Sequence, residues 1–108
     1  MHTEQILTQL AELTQTNRKG VEALFEAEEE LAHAENELDA VEARAFLSAQ
    51  GSVAERTQQA KLAAAETRLA RDIARAQVTR IKTKLRVIES EIVAQSTMAK
   101  LLAAESRL

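Results

Sequence analysis

The chain has 108 residues and a net charge of −3, and it contains no cysteine, proline, tryptophan or tyrosine and only two glycines. Charged residues make up 29% of the chain and apolar residues 45%, proportions typical of long helices and coiled coils. This composition excludes disulfides and thiol chemistry, offers no general attraction for nucleic acid or anionic lipid, and lacks the ~20-residue apolar run that spans a bilayer.

The first predicted helix spans residues 4–49. Its apolar and small residues recur in alternating steps of four and three residues, which is the spacing of a coiled-coil seam. The seam positions are Ile6, Leu10, Leu13, Asn17, Gly20, Leu24, Ala27, Leu31, Ala34, Leu38, Val41, Ala45 and Ser48. The small residues predict close antiparallel packing of a neighbouring helix. Asn17 and Gly20 weaken the helix at one point, but the unbroken spacing favours a continuous helix over a kink there.

A turn of residues 50–52 is predicted to end this helix. Gly51 suits the left-handed conformation just past a helix end. Ser52, followed three residues later by Glu55, forms a capping box, which marks a helix start. One helix that ends and another that begins so close to the midpoint of the chain predict a helical hairpin.

The second predicted helix spans residues 53–107. Its large apolar residues form a stripe that we expect to face the first helix. The stripe residues are Leu62, Leu69, Ile73, Ile81, Leu85, Ile88, Ile92, Ala99 and Leu102. Because the step from Ile73 to Ile81 is eight residues instead of seven, we expect a local change in supercoiling there.

Folding the chain at Gly51 brings together residues whose numbers add up to about 102, so the second helix extends past the first by about two turns. Met98, Leu101 and Leu102 lie in this overhang and are the predicted oligomer contact. The predicted fold is an all-α antiparallel two-helix hairpin, a coiled coil, in a single domain of residues 1–108. Since two helices cannot cover a core alone, we expect a dimer that forms a four-helix bundle.

Charge is unevenly distributed along the two helices. Residues 22–42 hold nine acidic residues and no Lys or Arg, whereas residues 68–86 hold seven basic residues and one acid. In the hairpin, Arg68, Arg71, Arg75 and Arg80 lie against the acidic stretch, which favours antiparallel pairing.

Beyond the acidic stretch, basic residues of the two predicted helices come together and form a basic band. It predicts either a solvated patch or a contact with an anion, such as a nucleic-acid phosphate or an acidic protein surface. No aromatic residue accompanies the band, so base stacking is not available. The basic band consists of Arg18, Lys19, Arg80, Lys82, Lys84 and Arg86.

Residues for catalysis or metal binding are scarce. His2 lies at the terminus, and Glu30 with His33 matches the Glu-x-x-His spacing of di-iron bundles. His33 points away from the seam residue Leu31, so this pair predicts a solvated helix face and no metal site. No nucleophile–base pair or phosphate-binding loop is visible, and we expect neither an enzyme nor a cofactor.

Three motifs lie between residues 45 and 92. They are Phe46-Leu47-x-Ala49-x-Gly51-Ser52-Val53-Ala54-Glu55-Arg56, Arg68-x-x-x-Asp72-x-Ala74-x-Ala76 and Lys84-Leu85-Arg86-Val87-Ile88-Glu89-x-Glu91-Ile92. This segment resembles small helical-hairpin proteins that bacteriophages and prophages encode, often near replication and recombination genes. The resemblance implies an accessory, non-catalytic role in phage DNA metabolism.

A second family comes into consideration at the turn. Small secreted WXG-type effectors are helical hairpins of similar length with a Trp-x-Gly turn. Here the turn reads Ser48-Ala49-Gln50-Gly51 and contains no tryptophan, so we rank this alternative below the phage-type hairpins.

The predicted function is that of a non-enzymatic, oligomerising coiled-coil interaction protein. We expect a phage-type accessory factor that acts as a homodimer, through protein–protein contacts, in DNA replication or recombination. Direct nucleic-acid binding by the basic band is the alternative, and a WXG-like effector is a further one. Because the chain shows no signal peptide and no membrane segment, we expect it in the cytoplasm, that of the bacterial host if a phage encodes it.

Overall fold

A computed structural model describes residues 3–107, which form three helices: α1 (Thr3–Ser48), α2 (Val53–Ala63) and α3 (Ala65–Glu105). No strand occurs within these residues, so the all-α prediction is confirmed. His2 lies outside them. The chain divides into two compact units. The central unit comprises Phe25–Thr79, and the terminal unit combines residues 3–24 with residues 80–107.

The inward face of α1 follows the predicted seam. The helix runs without interruption through Asn17 and Gly20, as the unbroken spacing favours. Each predicted seam position from Ile6 to Ala45 is buried or half-buried, and only Ser48 is exposed. The seam of α1 is therefore confirmed over all but its last position.

The turn between α1 and α2 has the predicted capping box. Gly51 has φ +112°, and a Cβ atom there would lie 2.8 Å from Glu55 Oε2, so the position requires glycine. The Glu55 N–H donates to the Ser52 hydroxyl oxygen at 3.2 Å. The Glu55 carboxylate accepts from the Ser52 hydroxyl at 3.1 Å and from the Ser52 N–H at 3.5 Å. These bonds satisfy amide groups that a helix start otherwise leaves without partners.

Two side chains of α2 hold the end of α1. The Arg56 guanidinium lies 4.3 Å from the centroid of the Phe46 ring and donates through Nε and Nη2, each at 3.1 Å, to the Phe46 carbonyl oxygen. Gln59 Nε2 donates to the Gln50 carbonyl oxygen at 3.1 Å. Cation–π stacking and hydrogen bonds to terminal carbonyls thus link the two sides of the turn.

The predicted second helix is divided at Ala64. This residue has φ −95° and ψ 7°, outside the α-helical region, and it separates α2 from α3. The Ala64 N–H still donates to the Ala60 carbonyl at 3.1 Å, and the Arg68 N–H donates to the Ala64 carbonyl at 2.8 Å. Arg68 Nη1 donates to the Lys61 carbonyl at 3.4 Å, alongside the irregular turn. The division is therefore a local distortion across which hydrogen bonding continues.

The inward face of α2 and α3 differs from the predicted stripe in the central unit. Leu62, Leu69 and Ile73 are exposed, so their assignment to the inward face is wrong. The buried or half-buried positions instead keep alternating steps of three and four residues, with no slip after Ile73. The regularly spaced positions are Thr57, Ala60, Ala64, Thr67, Arg71, Ala74, Val78, Ile81, Leu85, Ile88, Ile92, Gln95, Ala99 and Leu102, and Arg56, Arg68 and Ser96 beside them are also half-buried. We call the regularly spaced positions the inner ladder.

The register of the terminal unit is defined by Gly20. A Cβ atom at this position would lie 2.5 Å from Leu85 Cδ2, so α1 and α3 approach closely there. The numbers of these two facing residues add up to 105 instead of about 102. The part of α3 that extends past the start of α1 is therefore about three residues shorter than predicted. In the same register Leu13 faces Ile92, and Ile6, which is fully buried, faces Ala99.

Ion pairs connect the two sides of the central unit. Arg68 Nη2 lies 2.8 Å from Glu42 Oε1, and Arg75 Nη2 lies 4.0 Å from Glu35 Oε1. The predicted attraction between the acidic stretch and these two arginines is confirmed. Arg71 differs, because it occupies an inner-ladder position and donates through Nε to Asp72 of its own helix at 2.7 Å.

Candidate interaction surfaces

A stripe of apolar residues lies on the outward face of α2 and α3 in the central unit. Leu62, Leu69 and Ile73 are 77%, 60% and 62% exposed, which is high for large aliphatic side chains. Ala65 and Ala76 follow the same helical spacing and are also exposed. We call these five residues the central stripe.

The inner ladder of the central unit explains why the central stripe faces outward. Taken in order from the turn, the inward positions of α1 face small or slender residues of α2 and α3. Val41 faces Ala64, Leu38 faces Thr67 and Leu31 faces Ala74, and Ala64 is fully buried. At these three levels, a large residue of α1 fills the space over a smaller one of α2 or α3, which leaves little room for a leucine there. Arg71 is accommodated because Ala34 faces it.

A second apolar stripe lies on α3 in the terminal unit. Met98 and Leu101, two residues of the predicted oligomer contact, are 45% and 57% exposed, whereas the third, Leu102, is half-buried on the inner ladder. Val87 and Ala94 are exposed and share the face of Met98 and Leu101 by helical spacing. We call Val87, Ala94, Met98 and Leu101 the C-terminal stripe.

All six residues of the basic band are exposed and lie in the terminal unit. The contact between Gly20 and Leu85 brings the cations of α1 to the level of those of α3. Within residues 3–107, five members of the band form no ion pair. These five are Arg18, Lys19, Lys82, Lys84 and Arg86.

Helical spacing divides the basic band between two faces of α3. Lys82 and Arg86 are four residues apart and lie on one face, and Arg80 and Lys84 share another. Residues two apart, such as Lys82 and Lys84, do not face each other. The four cations that α3 contributes to the basic band therefore form two pairs. Counting charge along the chain, without helical phase, does not reveal this division.

The Glu-x-x-His motif lies on the acidic part of α1. His33 Nε2 is 3.9 Å from Glu29 Oε1, and both side chains are largely exposed. Within the part of the chain that the structure describes, no three His, Cys, Asp or Glu side chains are placed to hold a metal ion. Among the same residues, no helix is both long enough and apolar enough to cross a membrane.

Two polar side chains interrupt the apolar packing of the terminal unit. Asn17 lies on the inward face of α1 and Gln95 on the inner ladder. Their side-chain oxygens, Oδ1 and Oε1, are buried without a hydrogen-bond partner among residues 3–107. Unpaired buried polar atoms lower the free energy of unfolding. In coiled coils, an asparagine in the seam has this cost but selects the register or the oligomeric state.

Comparison of the chain with protein-family models, curated proteins and solved structures finds no match. The resemblance to phage-encoded hairpins therefore stays a prediction.

Proposed function

We propose that this chain is a non-enzymatic coiled-coil interaction protein that oligomerises, as a dimer, through the outward face of α2 and α3. One observation carries this proposal: Leu62, Leu69 and Ile73, the largest aliphatic side chains that α2 and α3 contribute to the central unit, lie outside. Exposed apolar residues that recur on one helix face mark a surface that another helix covers. The four-helix bundle expected from the sequence is one assembly that would cover it.

The distribution of side chains favours a protein surface over a small-molecule site. The central stripe consists of aliphatic residues only, and its nearest ionic groups, Glu66 and Asp72, lie beside it on the same helix. Helices that pair in water use such a stripe with charges at its edges. A reaction centre would instead need convergent polar groups in a concave pocket.

The biological setting of this proposal comes from the resemblance described above. We propose an accessory role in phage DNA replication or recombination, in the cytoplasm of the bacterial host, with the chain acting through protein contacts. A WXG-like effector remains the alternative setting, and its defining tryptophan is missing at the turn.

Sedimentation velocity over a series of concentrations tests the oligomer. The wild-type chain is expected to sediment with twice its mass of 11.9 kDa at high concentration and to dissociate on dilution. Leu69→Glu should shift this equilibrium towards the monomer, because it places a charge in the stripe that the second chain covers. Circular dichroism should show unchanged helix content, since residue 69 is exposed within the chain.

Leu47→Glu is the matched control. Leu47 is 76% exposed and belongs to α1, away from the central stripe, so this variant should keep the wild-type mass. A wild-type chain with the mass of one copy at every concentration would contradict oligomerisation. Equal behaviour of the two variants would contradict the assignment of the surface.

Nucleic-acid binding is the second candidate function, and the five exposed cations without ion pairs favour it. We expect any binding to depend steeply on salt, because phosphate contacts release counterions. Lys82→Glu combined with Arg86→Glu should weaken binding of a single-stranded DNA and lower the salt slope by about 2, one for each lost contact. Fluorescence anisotropy between low and moderate salt measures both quantities.

Lys61→Glu combined with Arg107→Glu provides the control for net charge. Both residues are exposed and lie outside the basic band, so this pair changes the total charge equally while leaving the band intact. If both double variants weaken binding equally, the attraction is general and the band is not a site. If wild-type protein does not bind at low salt, this candidate function is wrong.

A further inference from the structure

We propose that the basic band contains two separate binding sites for the phosphate backbone of a single-stranded nucleic acid, one on each side of the terminal unit. This inference rests on nucleic-acid binding, the second candidate function above, and adds how many strands one chain holds. Each site consists of three cations, one from α1 and two from α3. The first trio is Arg18, Lys82 and Arg86, and the second trio is Lys19, Arg80 and Lys84.

The position of each cation relative to the nearest inward residue separates the two trios. At the level of the band, the inward residues are Asn17 and Gly20 on α1 and Ile81 and Leu85 on α3. Every member of the first trio directly follows one of these residues, and every member of the second trio directly precedes one. Since each residue turns an α-helix by about 100°, following and preceding residues lie on opposite sides of the inward face.

Residues that directly follow an inward residue lie on the same side of both helices. Glu42 and Arg68 are two such residues, and their side chains form an ion pair across the helices at 2.8 Å. Glu35 and Arg75 have the same relation, with 4.0 Å between Oε1 and Nη2. The same rule groups the α1 cation of each trio with its two α3 cations.

The sign of the charges distinguishes the terminal unit from the central unit. The positions that pair glutamate with arginine in the central unit are occupied in the terminal unit by cations of both helices, which repel each other. Glu22 and Glu89 lie about one helical turn from Arg18 and Arg86, but neither forms an ion pair among residues 3–107. The whole chain has a net charge of −3, so a generally basic composition does not explain these clusters. An anion bound at each trio would relieve the repulsion.

The chemistry of each trio fits a phosphate backbone. Both trios combine lysine with arginine, whose guanidinium can donate two hydrogen bonds to one phosphate. Cations one helical turn apart, such as Lys82 and Arg86, can contact successive phosphates of one strand. Neither trio contains an aromatic residue, so the contacts are to the backbone and select no base sequence. Because the helices lie between the trios, a short strand contacts only one of them.

Counting bound strands per chain tests this proposal. The probe is a fluorescein-labelled strand of about four thymidines, because a long strand could contact both trios of one chain. Sedimentation at low salt, with label and protein detected separately, measures the molar ratio of bound strand to chain at saturation. The expected ratio for the wild-type chain is two. A ratio per chain does not depend on the oligomeric state.

Two double variants each remove one site. Lys82→Glu with Arg86→Glu disrupts the first trio, and Lys19→Glu with Lys84→Glu disrupts the second, so each should lower the ratio from two to one. Lys82→Glu with Lys84→Glu is the matched control. It changes the net charge equally but takes one cation from each trio, so it should weaken both sites and leave neither at wild-type affinity. Circular dichroism should show unchanged helix content in all three, since the substituted residues are exposed.

The failure of this inference is distinguishable from the failure of nucleic-acid binding. A wild-type ratio of one, or equal binding by all three double variants, would overturn the two sites and leave nucleic-acid binding in place. A wild-type chain that binds no strand at low salt would overturn both.

Discussion

Gly20→Leu is expected to lower the free energy of unfolding by about 2–3 kcal/mol, because it overpacks the closest approach of α1 and α3. A Cβ atom alone would lie 2.5 Å from Leu85 Cδ2, so even the first atom of the new side chain must displace Leu85. The higher helix propensity of leucine offsets less than ~1 kcal/mol of this loss. Urea denaturation followed by circular dichroism, at one fixed protein concentration, measures the difference.

A second substitution at the same layer separates overpacking from general damage. Leu85→Ala alone should also destabilise, by about 2–5 kcal/mol, because Leu85 is buried and its loss leaves a cavity beside glycine. Gly20→Leu combined with Leu85→Ala restores one large and one small residue, so the double variant should be more stable than either single variant. If the two losses simply add, the close contact does not exist.

Ala64→Leu is expected to cost about 1–3 kcal/mol, because Ala64 is fully buried and a larger side chain would push α2 and α3 away from α1. Its neighbour Ala63 is exposed on the same helical turn. Ala63→Leu should therefore change the free energy of unfolding by no more than ~0.5 kcal/mol. Thermal or urea unfolding of the two variants provides the comparison.

This pair of variants decides which face of the second half of the chain points inward. Equal stability of the two would mean that residue 64 does not lie at the helix interface. Greater loss at residue 63 would mean that the helix is rotated, with the central stripe turned towards α1.

The inward face of α1 could be predicted from sequence because its spacing is regular and its large residues repeat. From Leu24 to Leu38, leucines and alanines alternate along the seam, and both kinds are inward in the structure. The turn was equally predictable, since Gly51, Ser52 and Glu55 act through local geometry that needs no tertiary context.

The inward face of α2 and α3 could not be predicted by the same rule. Hydrophobic periodicity follows the largest residues, and in the central unit those are Leu62, Leu69 and Ile73. The residues that do face α1 are small or polar, such as Ala64 and Arg71, and they carry little hydrophobic signal. The informative feature was the sequence of α1, because its large inward residues require small residues opposite them on α2 and α3.

The candidate surfaces were predictable to different degrees. Met98 and Leu101 were identified as exposed apolar residues, and they are exposed, but Leu102 belongs to the inner ladder because the register is shifted by three residues. The central stripe was found only in the structure. Its residues were conspicuous in the sequence, but their orientation depends on the rotation of the helix, which tertiary packing determines.

The turn has a consequence for that rotation. The alanines of the seam are alike along the helix, so by themselves they specify little about its rotation. Only residues 49–52 separate α1 from α2, and Arg56 and Gln59 tie the carbonyls of Phe46 and Gln50 to the following helix. Each residue of an α-helix advances it by about 100°, so a turn one residue longer would present a different face to α1. The short connection thus limits the rotation of α2 and, together with the packing against α1, determines which residues this helix exposes to other molecules.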